Sequence, residues 1–273
     1  MTDSAWAESF ERADLSAMQI YEDVLVPRLF TPWARLLLDG LDLQPGEAVL
    51  DVACGPGSVT RLAAIEVGRR GRVIGVDLSP AMLAIAQAKP IVPDAAPIDY
   101  HQAPADRLPV ADAGFDVAIC QQGLQFFSDR EASLAEMRRA LRAAGRVGIA
   151  VWAEIEQAPP FAALEDAMRE VVGDELAARY RGGPWGMPDA DELQELLQES
   201  GFEDVRVSRH ALPLRFECAA LLGSTLAASA IAADVHALSA QRREQLDEAL
   251  ERTVAVDDAL HAEAVANLAF ARR

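Results

Sequence analysis

The chain has 273 residues, 51% of them apolar, which is enough for one domain with a substantial core and insertions. It carries 25 Lys and Arg against 43 Asp and Glu, a net charge of −18 that disfavours nucleic acid and anionic membranes as partners. No apolar run is long enough to span a membrane, and the acidic N-terminus lacks the layout of a signal peptide.

The cysteines also exclude some classes of protein. Cys54, Cys120 and Cys218 are far apart and form no C-x-x-C pair, so neither a zinc site nor a disulfide framework is indicated. We therefore expect no metal and a reducing, cytoplasmic location. A monomer and a homodimer are both compatible with the sequence.

The first part of the chain is predicted to be helical. Residues 1–40 carry a largely apolar stripe that Pro27 and Pro32 interrupt. The stripe consists of Trp6, Phe10, Leu15, Met18, Tyr21, Leu25 and Leu29.

Residues 47–77 contain the strongest pattern in the chain. A short apolar run ends at Val52, a glycine turn follows, residues 58–67 have helical periodicity, and a second apolar run ends at Asp77. The pattern predicts two parallel strands joined by a helix, and the carboxyl ends of such strands face a ligand crevice. Glycines there allow a ligand to approach the backbone, and an acid on the next strand can accept hydrogen bonds from ribose hydroxyls.

The alternation of strand and helix continues to residue 152. Ser79 is predicted to cap a helix, strands are expected at 98–101, 115–120 and 147–152, and a capping box at Ser128 predicts a helix through Arg142, ended by Gly145. After Trp152 we expect helices at 161–172 and 189–200, a strand at 205–216, a helical stretch at 217–252 and a last strand at 262–271.

Two nucleoside cofactors fit the pattern at residues 47–77. A dinucleotide site usually has a third glycine, where this chain has Thr60, and an acid such as Asp51 would repel a pyrophosphate. The run V-L-D-V-A-C-G-P-G-S resembles the first motif of class I S-adenosylmethionine-dependent methyltransferases, in the branch similar to quinone-biosynthesis enzymes.

The resemblance implies a Rossmann-like α/β fold with a seven-stranded mixed sheet and helical cap insertions. It places the final strand antiparallel to the one near residue 205, with 217–252 inserted between them. The implied division is an N-terminal helical cap at 1–40, a cofactor-binding core at 41–152, 189–216 and 253–273, and cap insertions at 153–188 and 217–252.

The resemblance also implies the cofactor site. Asp51 would lie near the methionine amino group, Gly55 and Gly57 near the methionine and ribose, and Asp77 at the ribose hydroxyls. The remaining implied cofactor residues are Ala53, Leu78, Met82, Ala105, Asp106 and Gln121. The chain departs from the family at Pro104, where an aspartate usually meets the adenine amino group, so the Ala105 backbone and Asp106 are expected to hold the adenine.

The acceptor site is expected beside the end of the strand at 115–120 and under the cap. Its candidate residues are Tyr21, Gln122, Gln125, Phe126 and Trp152. None of the four histidines lies in a recognisable motif, so no catalytic residue is assigned.

The expected function is methyl transfer from S-adenosylmethionine to a small molecule, such as a secondary or cofactor-type metabolite, which leaves S-adenosylhomocysteine. Two alternatives stay open: a protein that binds S-adenosylmethionine without transferring a methyl group, and a nicotinamide-dependent oxidoreductase.

Overall fold

The structure is a computed structural model that describes residues 14–229, 231–256 and 260–273. Trp6 and Phe10 of the N-terminal stripe lie outside these ranges. Among the described helices, none combines the length and the apolar character needed to cross a membrane.

Seven strands form one mixed sheet in the order β3-β2-β1-β4-β5-β7-β6. The first five are parallel, and β7 pairs antiparallel with both β5 and β6. The strands are β1 (Ala48–Val52), β2 (Arg72–Asp77), β3 (Ile98–Gln102), β4 (Phe115–Gln121), β5 (Leu141–Trp152), β6 (Glu203–Arg215) and β7 (His261–Arg272). This order confirms the predicted fold class and the antiparallel final strand.

Helices cover both faces of the sheet. In chain order the α-helices are α1 (Leu15–Ile20), α2 (Thr31–Leu41), α3 (Ser58–Val67), α4 (Pro80–Ala88), α5 (Arg130–Ala140), α6 (Pro159–Val172), α7 (Asp174–Arg181), α8 (Ala190–Glu199), α9 (Ala219–Ser224), α10 (Ala232–His236) and α11 (Ala240–Val256). Short 3₁₀ segments occur at Leu124–Phe126, Ile155–Gln157 and Thr225–Ala228.

The core has two halves, one on each face of the sheet. Along β4, Val117 and Ile119 pack into the half that also holds α2, α3 and α6, whereas Ala118 and Cys120 pack into the half with α5 and α8. Because successive side chains of a strand point to opposite faces, a central parallel strand must be apolar throughout. This explains why FDVAIC is a continuous apolar run apart from its second residue.

A π-helix at Tyr21–Phe30 separates α1 from α2. The N–H of Thr31 donates to the carbonyl of Val26, five residues back, and Pro27 lies within the segment. Proline has no N–H and disrupts the usual bond to the fourth preceding residue, which favours a widened turn. The predicted break at Pro27 is therefore a change of helix type, and the chain stays helical through it.

Three sequence predictions of secondary structure are wrong in detail. The helix expected from Ser128 begins one residue later, because Asp129 is the N-cap and accepts a hydrogen bond from Ala132 N at 2.8 Å. That helix ends at Ala140 rather than at Arg142, since β5 begins at Leu141 and not at Val147. The stretch at 217–252 divides into α9, a 3₁₀ turn, α10 and α11.

Candidate active site

A cavity lies at the carboxyl ends of β1, β2 and β4, with an empty volume of about 1500 Å³ that includes space open to solvent. Val52 and Ala53 line it from β1, Val76 and Asp77 from β2, and Gln121 from β4. The cavity therefore lies at the edge of the sheet where the parallel strands end. Ligands of open α/β sheets bind at this edge.

Asp77 is held in place by the glycine turn. Its Oδ2 accepts a hydrogen bond from Gly55 N at 2.7 Å, and its Oδ1 accepts one from Ser79 N at 2.8 Å. Each carboxylate oxygen has a second lone pair, so both can still accept a hydroxyl donor from a ligand. A Cβ atom on Gly55 would meet nothing within 4 Å, so the turn leaves open space beside Asp77.

Asp51 lies behind this turn and is almost fully buried. Thr60 Oγ1 donates to its Oδ2 at 2.6 Å, while Oδ1 has no partner among the described residues. Burial raises the pKa of Asp51 to about 7, with the charge of Asp77 adding to the shift and the Thr60 hydrogen bond opposing it. An unpaired buried carboxylate oxygen is suited to meet a cationic ligand group, because a positive charge would favour its ionised form.

Ala53 and Gly57 both have left-handed backbone conformations, with φ of 58° and 79°. Ala53 lines the cavity, whereas Gly57 does not. A Cβ atom on Gly57 would be 2.4 Å from Tyr100 Oη and 3.3 Å from Ala86 Cβ. The structure thus places Gly57 in the packing of the turn against β3 and α4, away from the ligand space.

The residues expected around an adenine all line the cavity: Leu78, Met82, Pro104, Ala105 and Asp106. Met82 also packs against α1 through Met18 and Ala17. The N-terminal helix therefore covers this end of the cavity and helps to shape it.

Two aromatic clusters enclose the other end of the cavity. The first joins the π-helix to the end of β5: the rings of Tyr21 and Phe30 stack at 4.7 Å, and Phe30 lies 6.2 Å from Trp152. In the second cluster, Trp185 lies 5.4 Å from Phe161 and 5.5 Å from Tyr180. Both clusters line the cavity, so an acceptor in it would contact aromatic surface.

A buried ion-pair network fixes the second aromatic cluster. Glu165 on α6 is 1% exposed and accepts hydrogen bonds from Arg181 at the end of α7, at 2.7 Å, and from Arg169, at 2.5 Å. Burying a carboxylate is costly unless it is paired in good geometry, and two guanidinium groups supply that pairing here. The network holds α6 and α7 together and so sets Tyr180 beside Phe161.

Three glutamines lie at or just after the end of β4. Gln121 Nε2 donates to the carbonyl of Phe30 at 3.0 Å, which ties the strand end to the π-helix. Gln122 lines the cavity, and its Oε1 accepts from Gln125 Nε2 at 3.2 Å. Gln125 is buried behind Gln122 and does not line the cavity, whereas Phe126 does.

The structure brings most of the predicted site together and adds residues that the sequence reasoning missed. Asp51, Gly57 and Gln125 stay outside the cavity lining, and every other predicted site residue is part of it. Tyr180, Thr225 and Ser229 line it too, although none stands in a motif; their only signal is that they lie in the expected cap segments. Within the described ranges, no three His, Cys, Asp or Glu side chains are grouped to hold a metal ion.

The charged side chains that line the cavity are acidic. Of the described residues that line it, Asp77 and Asp106 are acidic, and none is Lys, Arg or His. Burial, together with the nearby carboxylates of Asp77 and Glu22, raises the pKa of Tyr21, so its hydroxyl stays protonated. Apart from the carboxylates of Asp77 and Asp106, the described lining offers hydroxyl and amide groups and no imidazole or amine to act as a base.

Comparison with known proteins identifies the family. Residues 14–214 match the ubiE/COQ5 methyltransferase family. The chain is 30% identical over 201 residues, 70% of its length and 78% of the relative, to the ubiquinone/menaquinone biosynthesis C-methyltransferase UbiE of Ectopseudomonas mendocina. It is 33% identical to a 2-phytyl-1,4-naphtoquinone methyltransferase of Thermosynechococcus vestitus, covering 64% of this chain and 80% of that one.

Among solved structures, phosphoethanolamine N-methyltransferase 2 of Haemonchus contortus, in complex with S-adenosylhomocysteine, has a similar fold. The TM-score is 0.62 at 17% identity, covering 98% of this chain and 60% of that one. The chain belongs to the ubiE/COQ5 methyltransferase family and is an S-adenosylmethionine-dependent methyltransferase that acts on a small-molecule acceptor.

Proposed function

We propose that the acceptor is an uncharged, planar aromatic molecule of the hydroquinone type. The observation that carries the proposal is the pair of aromatic clusters, around Trp152 and around Trp185, that both line the cavity. Aromatic rings favour offset-stacked and edge-to-face contacts with one another, which suits a flat ring between them. The relatives named above are quinone-biosynthesis methyltransferases, which supports the same acceptor class.

The charge of the cavity argues against anionic acceptors. A phosphorylated acceptor needs Arg, Lys or a helix N-terminus to balance its charge. The described lining contains no cationic side chain, and the chain as a whole carries a net charge of −18. A phosphomonoester would therefore be repelled during its approach and would find no cationic partner in the cavity.

The residues at the other end of the cavity fit S-adenosylmethionine. We assign Asp77 to the ribose hydroxyls, since its two oxygens are fixed by backbone N–H groups and retain free lone pairs. We assign the unpaired Oδ1 of Asp51 to the cationic amino group, directly or through water. Leu78 and Met82 would flank the adenine, while Ala105 and Asp106 would meet its edge.

S-adenosylmethionine supplies an electrophilic methyl group, and the chain has to bind the acceptor in line with it. The aromatic clusters orient the acceptor ring and exclude water, so that positioning supplies much of the rate. Tyr21 acts as a hydrogen-bond donor, because its raised pKa keeps the proton on Oη. The described lining has no imidazole or amine, and its two carboxylates are assigned to the cofactor, so an acceptor that is acidic or nucleophilic on its own fits best, as an electron-rich hydroquinone is.

The test is methyl transfer from labelled S-adenosylmethionine to a naphthohydroquinone, a benzohydroquinone and phosphoethanolamine. We expect transfer to the hydroquinones and none to phosphoethanolamine. Trp185→Ala should raise KM for the hydroquinones, whereas Trp33→Phe is the matched control, because Trp33 packs edge-on against Trp152 and does not line the cavity. Transfer to phosphoethanolamine in preference to both hydroquinones would overturn the proposed acceptor class.

A further inference from the structure

Gln122 has a backbone conformation that a residue with a side chain seldom adopts. Its φ is 57°, in the left-handed region, directly after β4. Its N–H still donates to the carbonyl of Ala150 at 2.8 Å, which continues the pairing of β4 with β5 by one residue. Strained conformations persist where the surrounding structure determines them, and they are concentrated at functional sites.

The side chain of Gln122 lacks one of its hydrogen-bond partners. Gln122 is 6% exposed and Gln125 is 4% exposed, and the single bond between them joins Gln122 Oε1 to Gln125 Nε2. Gln122 Nε2 and Gln125 Oε1 have no partner among the described residues. Buried polar groups in native proteins nearly always have partners, so the unpaired amide of a residue that lines the cavity needs a partner such as a ligand or a water molecule.

We propose that Gln122 binds a ring hydroxyl of the acceptor and that Gln125 is a positioning residue that holds the Gln122 amide. The inference rests on the proposed function, since it concerns a hydroxyl group of the same aromatic acceptor. Gln122 lines the cavity and Gln125 lies behind it, so only Gln122 can touch the ligand. The amide Nε2 donates to the hydroxyl oxygen.

A hydroxyl group can bind to this amide in more orientations than a carbonyl can. If both amides were turned over, their mutual hydrogen bond would remain and Gln122 would present Oε1 to the cavity instead of Nε2. A hydroxyl can accept from Nε2 or donate to Oε1, whereas a carbonyl can meet only the donor. A hydroxyl can therefore bind in either orientation of the amide pair, whereas a carbonyl can bind in only one.

The consequence is discrimination against rings that lack the hydroxyl. Such a ring would fill the aromatic space but leave the Gln122 amide buried without a partner. A site that hydrogen-bonds a substrate hydroxyl rejects the analogue without it more strongly than an apolar pocket rejects a missing methylene.

The experiment measures binding of naphthol and of naphthalene to the protein loaded with S-adenosylhomocysteine. The wild type should bind naphthol about tenfold more tightly than naphthalene. In Gln122→Met the two ligands should bind equally, and Gln125→Met should lower the ratio in part. The double variant should match Gln122→Met, because Gln125 acts through Gln122. Gln198→Met is the matched control, because Gln198 is exposed on α8 and does not line the cavity, and it should keep the wild-type ratio.

The affinity for the cofactor shows whether Gln122 contacts the cofactor or the acceptor. The Kd for S-adenosylhomocysteine should stay within about twofold in every variant, as expected for residues outside the cofactor site. A marked loss of that affinity in Gln122→Met would assign Gln122 to the cofactor and overturn the inference. A naphthol preference that persists in Gln122→Met, or that is missing from the wild type, would also overturn it.

Measurements of turnover distinguish a failure of this inference from a failure of the proposed function. If the wild type methylates a naphthohydroquinone but binds naphthol and naphthalene equally, the proposed function stands and the role of Gln122 is wrong. If it methylates no hydroquinone and binds neither ring, the proposed function fails and the inference fails with it. Should Gln122→Met not fold, the wild-type ratio and the Gln125→Met variant still decide the question.

Discussion

Gly57 and Tyr100 are packed so closely that a Cβ atom on Gly57 would lie 2.4 Å from Tyr100 Oη. The glycine motif is thus divided between two roles, since Gly55 opens into the cavity and Gly57 fits beneath a tyrosine of β3. We expect Gly57→Ala to lower the free energy of unfolding by about 1–3 kcal/mol, from the strained φ and the overpacking together.

A double-mutant cycle checks the role of Gly57. Tyr100→Phe removes the clashing oxygen, so Gly57→Ala should be less destabilising in that background than in the wild type, as measured by urea unfolding. Gly55→Ala is the comparison for φ strain alone, because its Cβ would meet nothing. Strictly additive effects of the Gly57 and Tyr100 changes would show that the contact is not what makes Gly57 necessary.

Asp77→Ala should weaken binding of S-adenosylhomocysteine by about ten- to a hundredfold. The expected loss of binding free energy is about 1.5–3 kcal/mol, the value typical of hydrogen bonds to a charged group. Isothermal titration calorimetry measures it, with circular dichroism to verify folding, since Asp77 also fixes Gly55 and Ser79. Asp106→Ala, at the edge of the same cavity, should have a smaller effect. An unchanged Kd in folded Asp77→Ala would remove Asp77 from the cofactor site.

Asp51 should make stability depend on pH. Its pKa is raised from 3.8 to about 7, so the folded protein keeps a proton that the unfolded chain loses. Between these two values the unfolded state binds fewer protons, and the free energy of unfolding falls as the pH rises. Asp51→Asn cannot ionise, so its stability relative to the wild type should increase by on the order of 2 kcal/mol from about pH 5 to about pH 8.

Urea unfolding at the two pH values measures this difference. A difference in the free energy of unfolding that is the same at both pH values does not matter, because only the change of this difference with pH is compared. Parallel stability curves for the two proteins would contradict a protonated Asp51 in the cofactor-free fold.

Hydrogen exchange should divide the cap into a protected part and a mobile part. In α6, Leu164, Ala167 and Met168 are fully buried, whereas the five-residue helix α10 has no buried residue. Short helices with few buried contacts open locally at low free energy. Amides of α10 should therefore exchange much faster than those of α6 without ligand, and cofactor plus acceptor should slow them. Equal protection of α6 and α10 would show that the insertion is as rigid as the core.

Local chemistry made much of the fold predictable from the sequence. Ser79 is the N-cap that was expected, and Asp189 caps the helix predicted to begin there, because both side chains accept hydrogen bonds from the next turn. The glycine turn and Asp77 also follow from a pattern that spans one strand–helix–strand unit. The capping box at Ser128 failed because the adjacent Asp129 offers a competing acceptor, a choice that depends on the path of the chain.

Other features of the fold could not be predicted from the sequence. They depend on contacts between distant residues, or on side chains that compete with the backbone for hydrogen bonds. The bond between Gln121 and Phe30 joins residues 91 positions apart, and Tyr180 reaches the cavity through the packing of α7 on α6. The Ala-rich stretch at 217–252 has strong helix propensity, but it breaks where Ser224 and Ser229 donate to the carbonyls of Leu221 and Leu226. Serine side chains compete with helical bonds in this way, and the sequence pattern does not show when they win.

The sheet order has a consequence for how the chain folds during synthesis. β6 joins the sheet only through β7, and β7 lies between β5 and β6 although it follows both in the chain. A ribosome releases β6 first, and about 45 residues must follow before its partner emerges, which takes a few seconds at typical rates of synthesis. During that interval both β5 and β6 expose unpaired backbone to other nascent chains, and a fragment that stops at residue 214 would keep them exposed permanently.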